Sequence, residues 1–355
     1  MTRETRYSPI YAPNSLVIAR SMSASQVGLN ILQNGGAASD AAVAALAVDI
    51  ATLVLSRPWH LSGMLMESFD STPRAFSGRG ETQMDLFGIF QELLRAYGTR
   101  SLMDLVPGLS ENQGSWEEMV ALDTKNARDE TLGWRKQAGT VCNDGSSEQT
   151  TVFGSTSFAA GMNALHLEAS ESIEAEHLLD LVVELASDDD IEPGAEILQV
   201  MAVDHRGMAV TAAICPSAGQ AEDSQIIVQA RESTLLGVAT AGGAGTLAAV
   251  LMPGKNGGPT RTSVARLAGN PINLQARVER PRYRLTRKGG RVLATVEESV
   301  APEVIEWFTN RGWEIKTVPR WSNLVGAVQM IQIDRRHGLL VGAVDPRGSS
   351  HAAGY

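Results

Sequence analysis

The apolar positions along this chain change period near Asp190. Before it they recur every three to four residues, as on one face of a helix; after it they alternate, as in a half-buried strand. In SMSASQVGLNILQNGGAASDAAVAALAVDIATLVL, Ser23 or Ser25 is placed to cap a helix running through Leu32, and Gly35–Gly36 to end it. Ser39 or Asp40 caps the next helix, and the small residues allow the two to pack closely as a hairpin. Residues 56–83, SRPWHLSGMLMESFDSTPRAFSGRGETQ, read as a loop. MDLFGIFQELLRAYG and SLMDLVPGL return to helical spacing, residues 113–147 read as a polar, irregular surface insertion, and SFAAGMNALHLEA and AEHLLDLVVELASDD read as two more helices. Further on, EILQVMAVDHRGMAVTAAIC predicts a hairpin turning at Asp204–Gly207, SQIIVQARESTLLGVATAGG one near Arg231–Ser233, and AVQMIQIDRRHGLLVGAVD one at Asp334–Gly338. AGTLAAVLM reads as a helix, and APEVIEWFTNRGWEIKTV as a helix that stops at Gly312 before a strand. The expectation is an α+β domain spanning residues 1–355, with a helical part at about 15–190, a hairpin-rich part at about 195–355, and antiparallel sheets covered by helices.

The chain has 355 residues and a formal charge of −10, which argues against a nucleic-acid backbone as partner. Its densest basic run, Arg277–Lys288, reads as a solvated strand or loop. Two cysteines, Cys142 and Cys215, make no disulfide scaffold. The polar start MTRETRYSPIYAPNS lacks the apolar core of a signal peptide, and AAVAALAVDIATLVL is interrupted by Asp49, so the expectation is a soluble, cytoplasmic protein without a membrane partner. No His or Cys pair has metal-ligand spacing and no phosphate loop occurs, so neither a metal nor a cofactor is expected.

Several segments, in the same order, resemble the γ-glutamyltransferase family. MSASQVGLNILQNGGAASDAAVAALA is similar to its opening helical hairpin, ARESTLLGVATAGGAGTLAAVL to a strand, glycine turn and helix, VERPRY to an A-P-R segment, and the closing GAVDPRGSSHAAGY to its G-A-x-D-P-R and A-A-G-Y end. The resemblance implies an N-terminal-nucleophile (Ntn) hydrolase fold, a four-layer αββα sandwich of two antiparallel sheets. It also implies a self-cleaving precursor whose new N-terminal threonine attacks a γ-glutamyl amide, with its own amine as base.

The chain departs from that pattern at the chemistry. The resemblance places the nucleophile at position 197, where Ile197 stands, and no Thr, Ser or Cys lies in Glu196–Val203. Self-cleavage therefore has no nucleophile there, and an unprocessed chain is expected. Thr150–Thr151 reads as a helix-capping loop ahead of a displaced nucleophile. Arg79 falls where the family holds a substrate carboxylate, Glu81, one place off the family's glutamate, is a catalytic acid candidate, and Gly242–Gly243 match the turn whose amides form the oxyanion hole. Among the histidines, His60, in the loop that the resemblance puts at the pocket rim, is the acid/base candidate; His205 and His337 sit in exposed turns. Cys215 ends a strand that the resemblance puts at the site, as a substitute nucleophile or an inert buried thiol. Three functions follow. The first is a repurposed enzyme on a small molecule, in specialised metabolism, using non-covalent acid/base or positioning chemistry such as a cyclisation. The second is an amidase or acyltransferase with Cys215, Thr150 or Thr151 as nucleophile. The third is a non-catalytic binding or partner subunit. The expected partner is a small-molecule substrate, with a second copy of the chain as a further option. The tail reads as a relic of the fold, with Pro346–Arg347 turning out of a strand and Tyr355 packing back on the surface.

Overall fold

The computed structural model describes residues 5–51, 59–80, 83–105, 140–143, 149–154, 197–216, 224–229, 233–240, 273–288 and 290–355. The fold is α+β, with two main antiparallel sheets and helices. The chain divides into two compact units; one comprises Ile10–Ala138, Glu196–Ala218 and Ser350–Tyr355, and the other Met1–Pro9, Gly139–Ala195 and Gly219–Ser349. Elements are numbered in chain order.

The first unit is built on a six-stranded antiparallel sheet in the order β16 (His351–Gly354), β2 (Leu16–Ala19), β7 (Leu198–Val203), β8 (Ala209–Pro216), β3 (Trp59–Met66) and β4 (Arg74–Gly80). One face of it, with Val17, Trp59, Leu61, Leu198, Val200, Val210 and Ile214, forms a core with helices α1 (Met22–Gln33), α2 (Ala38–Ala51) and α3 (Gln83–Tyr97) and the short α4 (Leu102–Leu105). α2 is buried nearly all round, which its alanines permit. α1 crosses so close that a Cβ on Gly28 would stand 3.1 Å from the carbonyl oxygen of Ala41.

Buried polar groups fix this arrangement. Ser21, not Ser23 or Ser25, caps α1: its hydroxyl accepts from the Ala24 N–H at 3.1 Å and donates to Asp49 at 2.6 Å. The buried Asp49 carboxylate makes the earlier serine the better cap. Gly35, at φ 81°, ends α1 as expected. Asp40 accepts from the Ala37 N–H at 2.8 Å and from the Thr99 hydroxyl at 2.6 Å. Asp204 accepts from the N–H groups of Ala38, Arg206 and Met208, tying the β7–β8 turn to the start of α2.

The stretch 56–83 is not a loop. Where it is described it forms β3, β4 and the start of α3, with His60 paired to Arg79 and Gly63 to Phe76. Gly63 and Gly78 look like loop residues, but the space beside them is filled from across the sheet and from α3. A Cβ on Gly63 would stand 2.0 Å from the Phe76 ring, and one on Gly78 2.2 Å from Ile89.

In the second unit an antiparallel sheet runs β15 (Leu339–Ala343), β14 (Ala327–Asp334), β10 (Ser233–Thr240), β9 (Ser224–Gln229), β6 (Gln149–Gly154) and β5 (Thr140–Asn143). The expected hairpins around Asp204–Gly207 and Asp334–Gly338 are present, with positive φ at Gly207 and Gly338, and β9 pairs with β10. Two expectations change. Thr140–Asn143, inside the expected irregular insertion, is a strand, and Thr150–Thr151 lies in β6 instead of a capping loop. The helices expected in SFAAGMNALHLEA, AEHLLDLVVELASDD and AGTLAAVLM, and the rest of the insertion, lie outside the described residues. A smaller sheet pairs β12 (Arg291–Glu297) with β11 (Tyr283–Lys288) and β13 (Glu314–Val318). Helix α6 (Pro302–Asn310) links β12 to β13 and sinks Phe308 against Tyr283.

The basic run and the tail meet in this unit, and neither behaves as a solvated surface. Arg277, Arg282 and Arg284 are buried around helix α5 (Leu274–Val278) and β11. Arg282 pairs with Asp345 at 2.7 Å, Arg347 pairs with Asp345 at 2.9 Å, and Arg347 engages both Glu297 oxygens at 2.7 Å. Burial lowers the pKa of Arg282, with Asp345 opposing the shift. Burial also works against the Arg347 charge, but Asp345 and Glu297 outweigh it and raise its pKa above the ordinary arginine value. The Asp-Pro-Arg turn is thus an internal ion cluster. In the first unit, Tyr355 packs against the core, and its backbone carbonyl accepts from Asn14 and Ser15.

Candidate functional site

Four of the sequence candidates in the first unit, His60, Arg79, Ile197 and Cys215, meet along one row at one end of its sheet. β3 lies between β4 and β8, and His60 stands opposite Arg79 on one side and opposite Cys215 on the other. β8 pairs with β7 so that Ile214 faces Leu198, which puts Ile197, one residue before β7, beside Cys215. Three strands distant in sequence therefore bring His60, Cys215 and Ile197, the position that the resemblance assigns to the nucleophile, into one row.

The strand period decides which way these side chains point. Trp59, Leu61, Leu198 and Ile214 belong to the helix-covered core, so alternation places His60 and Cys215 on the other face. Residues directly opposite in an antiparallel pair have Cβ atoms about 4.5–5.5 Å apart. Cys215 is buried and His60 half-buried, so the pair is close and largely out of water.

The next row on the same face is polar as well. Ser62 stands opposite Ala213, and Ala213 opposite Gln199. Gln199 and Ser62 were not singled out from the sequence. The available signal was their spacing: each lies two residues along its strand from Ile197 or His60, hence on the same face. One row further, Met64, Thr211 and Met201 make the face largely apolar. Polarity is therefore concentrated at the end that carries His60 and Cys215.

The other candidates lie elsewhere. Thr151 sits in the middle of β6, buried, its hydroxyl without a hydrogen-bond partner among the described residues. It belongs to the second unit, with strand on both sides of it. Glu81, Gly242 and Gly243 lie outside the described residues. His205 and His337 are exposed in their turns, His337 against Asp334 at 2.7 Å, and His351 is exposed on β16. Among the described residues no group of three or more His, Cys, Asp or Glu side chains is placed to hold a metal ion. No helix among them is long and apolar enough to cross a membrane.

With this geometry in hand, comparison with solved structures defines the class of fold. The chain matches a cephalosporin acylase from Bacillus halodurans with a TM-score of 0.66 at 12% identity, covering 100% of this chain and 98% of that one. It matches two LmbA2991 structures with TM-scores of 0.68 and 0.65, each at 14% identity, covering 99% of this chain and 100% of theirs. These neighbours have the Ntn-hydrolase fold, and the present chain shares it over its whole length. At such identity the likeness is one of fold. No protein-family profile matches the sequence, and no curated protein matches it.

Proposed function

We propose that this protein is an unprocessed enzyme on an Ntn-hydrolase-like scaffold, acting on a small molecule by acid/base and positioning chemistry without a covalent intermediate. A place in specialised metabolism is part of the proposal. The observation that carries it is the row itself. The position of the expected nucleophile holds Ile197, which has no proton to lose and no lone pair to attack with. Around it, a half-buried histidine remains paired across the strands with Arg79 and Cys215. His60 is the proton donor and acceptor in this reading, since an imidazole titrates near neutrality. Arg79, the residue opposite His60 on β4, is in this reading the cation for an anionic group of the substrate.

The expected outcome is a single chain of 37.8 kDa on a denaturing gel and no turnover of a γ-glutamyl anilide, with or without glycylglycine. Two stable fragments, or robust anilide turnover, would overturn the proposal. For the conversion that the protein carries out, His60→Ala is expected to lose about 10²-fold or more in kcat, the usual contribution of a positioned acid or base.

A second reading is favoured by one specific observation, the placement of Cys215 opposite His60. A thiol beside an imidazole can pass its proton to the ring and attack an amide carbonyl; the C–N bond breaks, the amine leaves with that proton, and water or a second amine resolves the thioester, which is the amidase or acyltransferase alternative. Cys215→Ala separates the two. Conversion survives it under the first reading and is abolished under the second.

A further inference from the structure

We infer that Gln199 is a substrate-holding residue of this site and that the group it recognises is an intact carboxamide or lactam. The inference rests on the functional reading above and adds to it a residue and a ligand chemistry. Gln199 lies on β7 two residues beyond Ile197, on the same face, with Ala213 opposite it and Ser62 beyond. It is only 4% exposed. Its Nε2 reaches the Ser350 hydroxyl at 3.5 Å, the outer limit of a hydrogen bond, and its Oε1 is buried with no partner among the described residues. Exchanging the amide oxygen and nitrogen moves the deficit from an acceptor to a donor and does not remove it.

A buried amide with one polar atom left unpaired is destabilising, and the sheet offers a cheaper solution one row away, where the same strand carries Met201 on this face. The polar residue stands instead beside the row of His60 and Cys215, and Ala213 next to it projects only a methyl group. A ligand that carries N–H and C=O side by side completes the Gln199 carboxamide in either orientation. An ester offers acceptors only. The chemistry of the orphaned group therefore selects an amide-bearing small molecule, held by that amide while His60 acts on another part of it.

The test uses the full chain, propionamide as probe and methyl propanoate as control, with the thermal midpoint as readout. Gln199→Met keeps the volume and removes the polar atoms. Without probe, its midpoint is expected to equal or exceed that of the wild type. Propionamide is expected to raise the wild-type midpoint with the logarithm of its concentration, as ligands that bind the folded state do, and to leave Gln199→Met unmoved. Methyl propanoate is expected to move neither. A midpoint of Gln199→Met several degrees below wild type overturns the inference, because the carboxamide would then be holding the sheet. Equal responses of the two proteins to propionamide, or none in either, also overturn it. None of these readouts needs turnover. Equal probe responses combined with conversion lost in His60→Ala sink the Gln199 inference alone. A probe response that depends on Gln199, with conversion indifferent to His60→Ala, sinks the acid/base reading alone.

Discussion

Asp49 sits fully buried in an alanine-rich helix, where a negative charge is disfavoured. Burial raises its pKa above the ordinary carboxyl value, against hydrogen bonds from the Ser21 hydroxyl and the Arg20 N–H that favour the charged form. The sign follows from the direction of the shift. A carboxyl whose folded pKa is raised stabilises the fold most below its unfolded value, about 3.9, and that stability is lost as the pH rises through the raised folded value. Relative to Asp49→Asn, the wild type is therefore expected to gain in thermal midpoint as the pH is lowered from neutral toward the ordinary carboxyl range. A difference between the two proteins that does not change with pH would remove Asp49 from this account. At the same scale, the sequence alone shows that position 197 carries an isoleucine, and the register adds that it lies beside Cys215. Gln199 was not legible, because a buried glutamine looks like any other until the structure shows its Oε1 without a hydrogen-bond partner among the described residues.

At the scale of the element, the hairpins at Asp204–Gly207 and Asp334–Gly338 were legible because alternation and turn glycines agree there. β3 and β4 were not, because three glycines and a serine-rich stretch mimic a loop, and only the paired strand shows what fills the gaps. Gly63 and Phe76 make one unit: the ring occupies the space in which a Cβ would stand, 2.0 Å away. Gly63→Ala is expected to cost about 1–3 kcal/mol, as overpacking in a dense core does, and to lower the thermal midpoint. Gly63→Ala combined with Phe76→Leu is expected to recover part of that loss, since the smaller side chain vacates the contested volume. Losses that simply add in the double variant would show that the ring and the glycine are not coupled. The His60 row depends on this hairpin, so a registry disturbed at Gly63 should also blunt any conversion that depends on His60.

For the whole molecule, the most informative segment is the tail, which looked from the sequence like a surface relic. It is an internal tie. Asp345 and Arg347 are both buried, and between them they reach Arg282 after α5, Glu297 at the end of β12 and, through the Asp345 carboxylate, the N–H of Val328 in β14. Arg347 also hydrogen-bonds the carbonyls of Val278 and Arg280 and lies 4.9 Å from the Trp321 ring centroid. Such a cluster adds little if every member is exchanged together for apolar groups, but removing one member leaves an uncompensated charge out of water, at about 3–5 kcal/mol. Arg347→Met is therefore expected to cost that much in denaturant unfolding, because Glu297 loses its bidentate partner and Asp345 loses one of the two arginines paired with it. Lysine cannot supply the planar fork, so Arg347→Lys should restore only part of the loss. If Arg347→Met unfolds at the wild-type denaturant concentration, the cluster contributes nothing and the tail returns to being a relic. If it is destabilised as expected, the Asp-Pro-Arg turn serves stability, and the motif reports on the fold whatever reaction the chain carries out.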